Sequence, residues 1–154
     1  MAQTYVKKLE VRWDDVDVNG HLRNTRYLEY ANHARISYFQ ESGWDARRFL
    51  AAEVGPVLLS DEIRYRREVF LAEEVDVTCQ VTGLSADGAR WEMRHEVRRA
   101  DGSTAATVLS HGGWMGKRTR KLTAPPADLI AAVDAIRSED CALIETSADK
   151  PGAR

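Results

Sequence analysis

The chain has 154 residues, of which 44% are apolar and 30% charged, and a formal net charge of −2. That length suits one domain able to bury a core, and the composition is that of a soluble globular protein. The near-neutral charge gives no reason to expect nucleic acid as a partner, and no apolar run nears the roughly 20 residues of a membrane helix.

The opening MAQTYVKKLEVRW has no apolar stretch of the kind a signal peptide carries, so the cytoplasm is the expected location. Residues 4–13 read as a strand, with Tyr5, Val6, Leu9, Val11 and Trp13 as its apolar members. An acidic loop follows, and residues 25–42 read as the one long helix. Its apolar stripe runs through Tyr27, Ala31, Ala34 and Tyr38, widened by Leu28 and Phe39. Asn24 or Thr25 is expected to cap the start, and Gly43 stands where a C-terminal stop belongs.

From residue 57 onward the period changes to two. Val75, Val77, Cys79 and Val81 alternate with polar neighbours, as do Trp91, Met93, His95 and Val97. Asp87-Gly88 and Asp101-Gly102 fall between these runs, where tight hairpins favour φ > 0. Further strands are predicted over 57–69 and 103–118, with Cys79 as a small buried residue. The order of strand, long helix and four antiparallel strands predicts an α+β fold, a five-stranded curved sheet around one helix. Pro125-Pro126 ends the sheet, residues 127–138 suit a short peripheral helix, and the last dozen residues read as a loose tail.

Cys79 and Cys141 are too few and too far apart for a disulfide framework or a zinc site. His33 is expected to be exposed on the helix and His95 to face a sheet surface. The run His111-Gly112-Gly113-Trp114 reads as a strand bulge. The stretch DDVDVNGHL, residues 14–22, is the one place where chemistry concentrates. A calcium loop starting at Asp15 would need a bidentate glutamate at its twelfth position, which is Arg26. What remains is a carboxylate just ahead of a helix N-terminus. Free backbone N–H groups there stabilise negative charge on a substrate oxygen, while the carboxylate attacks a carbonyl or activates water against it. These are parts for acyl transfer. Taken alone, the three aspartates also suit a solvated turn.

The stretch W-D-D-V-D-V-N-G-H-L-R-N-T-R-Y-L-E-Y, with the elements after it, resembles the hotdog-fold acyl-CoA thioesterases of the 4-hydroxybenzoyl-CoA thioesterase type. The shared D-x-D-x-x-G pattern and helix start are met by Asp15, Asp17, Gly20, His21, Asn24, Tyr27 and Leu28. Arg23 stands where the family often has a further asparagine. The resemblance runs over roughly residues 4–122; residues 1–122 would form the hotdog domain, and 123–154 would add a helix and tail to it. It implies an acyl-CoA thioesterase releasing free acid and thiol without metal or other cofactor. Asp17 would be nucleophile or general base, the helix start near Asn24 the oxyanion site, and His21, Asn24 and Tyr27 pocket groups. The carrier would be coenzyme A or an acyl carrier protein. A hotdog dehydratase or hydratase, or a non-catalytic acyl-CoA-binding module, are the alternatives. The family also implies a homodimer or homotetramer with its pocket at a seam between chains, and an open sheet edge favours such pairing. Arg64, Arg66, Arg67, Arg118 and Arg120 are candidates to hold the carrier's phosphates.

Overall fold

The computed structural model describes residues 3–146. Strand β1 (Tyr5–Glu10) leads through a single 3₁₀ turn (Trp13–Asp15) and a loop into helix α1 (Asn24–Glu41). A short helix α2 (Ala46–Ala51) precedes β2 (Val54–Tyr65), β3 (Glu74–Ser85), β4 (Arg90–Arg98) and β5 (Thr104–Gly116). Helix α3 (Ala127–Ala135) and strand β6 (Arg137–Ile144) complete the order. The sheet runs β1-β3-β4-β5-β2, antiparallel throughout, and β6 joins β3 in parallel. The fold is α+β, and α1 packs against β1, β3, β4 and β5, the hotdog arrangement. Among the described residues no helix is long and apolar enough to cross a membrane.

Period-two alternation builds the sheet's inner face. Val75, Val77, Cys79 and Val81 of β3 and Trp91, Met93, His95 and Val97 of β4 are buried against α1. Ala31 and Ala34 are fully buried on the facing stripe, and their small side chains let helix and sheet approach closely. Tyr30 and Arg35 are also buried on that side, which the apolar stripe alone does not reveal. The turns behave as their sequences demand: Gly88 and Gly102 adopt φ of +74° and +85°, and Gly43 stops α1 at +88°.

Several expectations need correction. The sheet has six strands, because Arg137–Ile144 forms β6 alongside Val81–Ser85 where β1 no longer covers β3. The tail expected over 143–154 therefore begins inside a strand, and residues 147–154 lie outside the described part. Neither Asn24 nor Thr25 caps α1: Asn24 is its first residue and Arg23 the N-cap, with no side-chain capping bond. His95 is fully buried beneath α1 rather than at a sheet surface. The irregularity near Gly112 falls on the neighbouring strand, where β2 carries Leu59 as an extra residue between Leu58 and Ser60. Gly112 itself answers to close packing. A Cβ there would sit 2.4 Å from the Val57 carbonyl oxygen and 2.5 Å from the Trp91 ring.

Candidate active site

The acidic loop sorts its three aspartates into three environments. Asp14 is exposed. Asp15 is buried, and its Oδ2 accepts from the Tyr30 hydroxyl (2.7 Å) and the Arg12 amide (3.1 Å), while Arg26 Nε lies 3.4 Å from Oδ1. Its carbonyl also takes the Arg23 amide at 2.8 Å. Asp15 thus ties the loop to α1 and has no free face for chemistry. Burial, followed by the bond to Asp15, raises the Tyr30 pKa, so this hydroxyl stays a donor.

Asp17 is half-buried and turned the other way. Its Oδ1 accepts from the backbone amides of Asn19 (2.8 Å) and His21 (3.2 Å). Its own amide donates to the His21 carbonyl at 2.9 Å, and Gly20, at φ +76°, closes the turn by donating to the Asp17 carbonyl at 3.0 Å. Val16 and Leu22 pair across the base of this small loop, and Leu22 donates to the Val69 carbonyl. The loop is therefore clamped at both ends, and the carboxylate is held by two amides through one oxygen. Asp17 Oδ2 makes no hydrogen bond among the described residues, which leaves it available to a substrate or a water.

The start of α1 stands beside it. Arg23 brings no side-chain cap, and the amides of Asn24 and Thr25 have no acceptor among the described residues. A helix end with unfilled donors carries partial positive charge and favours an oxygen bearing negative charge. The helix is fixed there by the Tyr65 hydroxyl, which donates to the Asn24 carbonyl at 3.1 Å, and by Tyr27, whose ring meets that of Tyr65 edge-on at 5.4 Å. The His21 ring rests edge-on against Phe70 at 4.9 Å, so packing sets its orientation.

These groups line one open cleft of about 490 Å³, with Asp17, His21, Asn24 and Tyr27 on one side. The other side is the end of β2 and the segment after it, with Tyr65, Arg66, Arg67 and Glu68. Six of the sequence-derived candidates therefore share a site. Three do not: Arg64 is ion-paired to Glu62 at 2.8 Å in a separate groove, Arg118 lies in another groove beside Lys117 and Thr119, and Arg120 takes φ +58° in the turn after β5. Strand β2 ends at Tyr65, so Arg66 leaves the strand and does not keep to the face that Arg64 occupies. Tyr65 and Glu68 went unrecognised in the sequence; nothing in a strand-end tyrosine shows that it will reach a helix start 41 residues earlier.

Residues 11–133 match the model of the thioesterase-like superfamily. The L-carnitine dehydrogenase/betainyl-CoA thioesterase of Agrobacterium fabrum is 30% identical over 128 residues, 81% of this chain. The chain spans only a quarter (25%) of that relative's length. A 1,4-dihydroxy-2-naphthoyl-CoA thioesterase from Synechocystis superposes with a TM-score of 0.77 at 16% identity, over 85% of this chain and 96% of that one. A Staphylococcus aureus protein in complex with CoA superposes with a TM-score of 0.81 at 16% identity, over 99% and 92%. At those identities the two structures speak for the fold.

Proposed function

This chain belongs to the thioesterase-like superfamily, and from that premise we propose that it hydrolyses an acyl thioester of coenzyme A with Asp17 as the reacting carboxylate. One observation carries the reading: an oriented carboxylate with a free oxygen shares a cleft with the uncapped start of α1. The thioester carbonyl oxygen docks on the Asn24 and Thr25 amides, which stabilise the negative charge that grows as the carbon becomes tetrahedral. Asp17 Oδ2 then either attacks that carbon or removes a proton from the attacking water. The C–S bond breaks, the thiolate leaves and is protonated, and water supplies the oxygen of the free acid. His21 and Tyr27 shape the walls of the cleft.

The carrier's phosphates require cations, and Arg66 and Arg67 stand at the cleft rim. Arg118 and Arg120 join them through a second copy of the chain. Two features support that assembly. The β1 edge of the sheet carries Lys7 and Lys8, which discourage pairing, whereas the β2 edge exposes Leu58, Leu59 and Tyr65. Antiparallel pairing of β2 with its twofold copy sets the Tyr65 end of one strand against the Val54 end of the other, beside the partner's Gly116–Arg120 turn.

The test is thiol release from a panel of acyl-CoAs, with free coenzyme A and acid quantified together. Equimolar thiol and acid from at least one thioester is expected. Substrate hydration or dehydration with no thiol, or binding with no turnover, would replace this reading.

A further inference from the structure

A second concavity, of about 470 Å³, opens between the C-terminal half of α1, helix α2 and the start of β2. Its floor is aromatic and buried: Trp44, Trp91 and Trp114 are each at most 4% exposed, with Phe49 stacked on Trp114 at 6.1 Å and 11°. Ile36 and Leu50, 62% and 82% exposed, form an apolar rim. The volume lies in the range of small-molecule sites, roughly 300–1,000 Å³.

Its charges decide what it accepts. Among the described residues no carboxylate lines it. Two cations line it and a third stands beside it. Arg35 lies 5.4 Å over the Trp91 ring and Lys117 donates to the Phe49 and Leu50 carbonyls at 2.6 and 2.9 Å, while Arg48, ion-paired with Asp128, lies 3.9 Å over the Trp44 ring outside the lining. Aromatic walls attract cations through their faces, but here resident guanidinium groups occupy two of those faces. A further positive charge would meet like charges in apolar surroundings. An uncharged ring or branched chain would pack against Ile36, Phe49 and Leu50, above the buried tryptophans, without that conflict.

Within one chain the cavity is remote from Asp17. Tyr27 lines the cleft and Ile36 to Gln40 line the cavity, roughly 15 Å further along α1. The cleft adjoins the Tyr65 end of β2, whereas the cavity adjoins Gly55 and Pro56 at its other end. Antiparallel pairing of two β2 edges brings opposite ends together. We infer that the aromatic cavity of one protomer receives the acyl group of a thioester cleaved at its partner's Asp17, and that this group is bulky, apolar and without positive charge. The inference rests on the thioesterase reading and adds the acyl class and the contributing protomer.

The test uses benzoyl-CoA, betainyl-CoA and acetyl-CoA with the wild-type protein and two rim variants, Ile36→Trp and Leu50→Trp, which fill the cavity from exposed positions. Wild-type kcat/KM for benzoyl-CoA should exceed that for each of the other two by at least about tenfold, and both variants should lower that ratio by a similar factor. Betainyl-CoA matching or exceeding benzoyl-CoA overturns the inference, and so does selectivity unmoved in both variants. Mixing Asp17→Asn with Ile36→Trp protomers tests the sharing. Mixed dimers then hold one intact site, so benzoyl-CoA turnover should return to about a quarter of wild type; no recovery beyond the parent variants places the cavity in cis and overturns it. Absence of thiol release from every thioester contradicts the thioesterase reading instead. Calorimetry with benzoyl-CoA and free coenzyme A then judges the cavity separately. Tighter benzoyl-CoA binding, weakened about tenfold in both variants, upholds it, and equal binding of the two ligands overturns it.

Discussion

Asp15 and Asp17 stand two positions apart and do different work, because the loop between them turns one carboxylate inward and the other outward. Asp15 is committed to Tyr30, Arg12 and Arg26. Asp15→Ala should therefore strip partners from buried donors and cost about 1–3 kcal/mol of stability, read as a lower urea midpoint; unchanged stability would remove Asp15 from its structural role. His95 offers a second residue-scale test. Its Nδ1 donates to the Thr78 carbonyl at 3.0 Å, which leaves Nε2 to accept from Arg35, at 3.3 Å. Burial, then the Arg35 charge, push the His95 pKa down to about 3. The folded state keeps this ring neutral while the unfolded chain protonates it below its ordinary value of about 6.5. Stability contributed above that value is lost as pH falls from about 6.5 towards about 3, by up to ~1.4 kcal/mol per pH unit. Urea midpoints between about pH 7 and about pH 4 should fall more steeply for wild type than for His95→Gln, and parallel slopes would contradict this.

At the scale of elements, strand β6 closes a gap that β1 leaves. Strand β1 pairs with Glu74–Cys79, and β6 takes over from Val81 onward. A chain ending at Ile136 exposes the Val81–Ser85 edge and should aggregate or lose thermal stability relative to the full chain; an unchanged melting temperature would show that edge to be protected otherwise. What the sequence revealed follows from the same physics. Alternation of period two made β3 and β4 legible and placed His95 in line with Trp91, Met93 and Val97. Its burial was missed because alternation does not show that Arg35 of α1 meets it. Strand β6, RSEDCALI, lacks alternation, because Ser138 is its one buried residue and no apolar face marks it. Helix α2 spans six residues, too short for a periodic signal. The D-x-D-x-x-G loop was legible because its turn, its clamp and its free carboxylate all come from adjacent residues. The grouping of the basic residues was not, since β2 ends between Arg64 and Arg66 and β5 ends before Arg118, and the chain after a strand end carries no periodic signal of where it turns.

For the whole molecule, the two sheet edges differ in what they present, and the proposed assembly uses that difference. The β2 edge presents Leu58 and Leu59 to solvent in a 17.3 kDa chain. We expect sedimentation of a species of at least twice that mass, and Leu59→Glu should shift it toward the monomer and lower turnover together, because the proposed site draws on both copies. An active monomer would contradict shared sites. The proposed reaction rests on Asp17 more than on any other group. The most direct measurement is therefore the kcat of Asp17→Asn on the best wild-type thioester, with circular dichroism and the urea midpoint confirming that the fold is kept. A fall of at least about 100-fold is the expected result, the scale of losing a positioned acid–base or nucleophilic group; near-normal turnover in a folded Asp17→Asn protein would contradict the account.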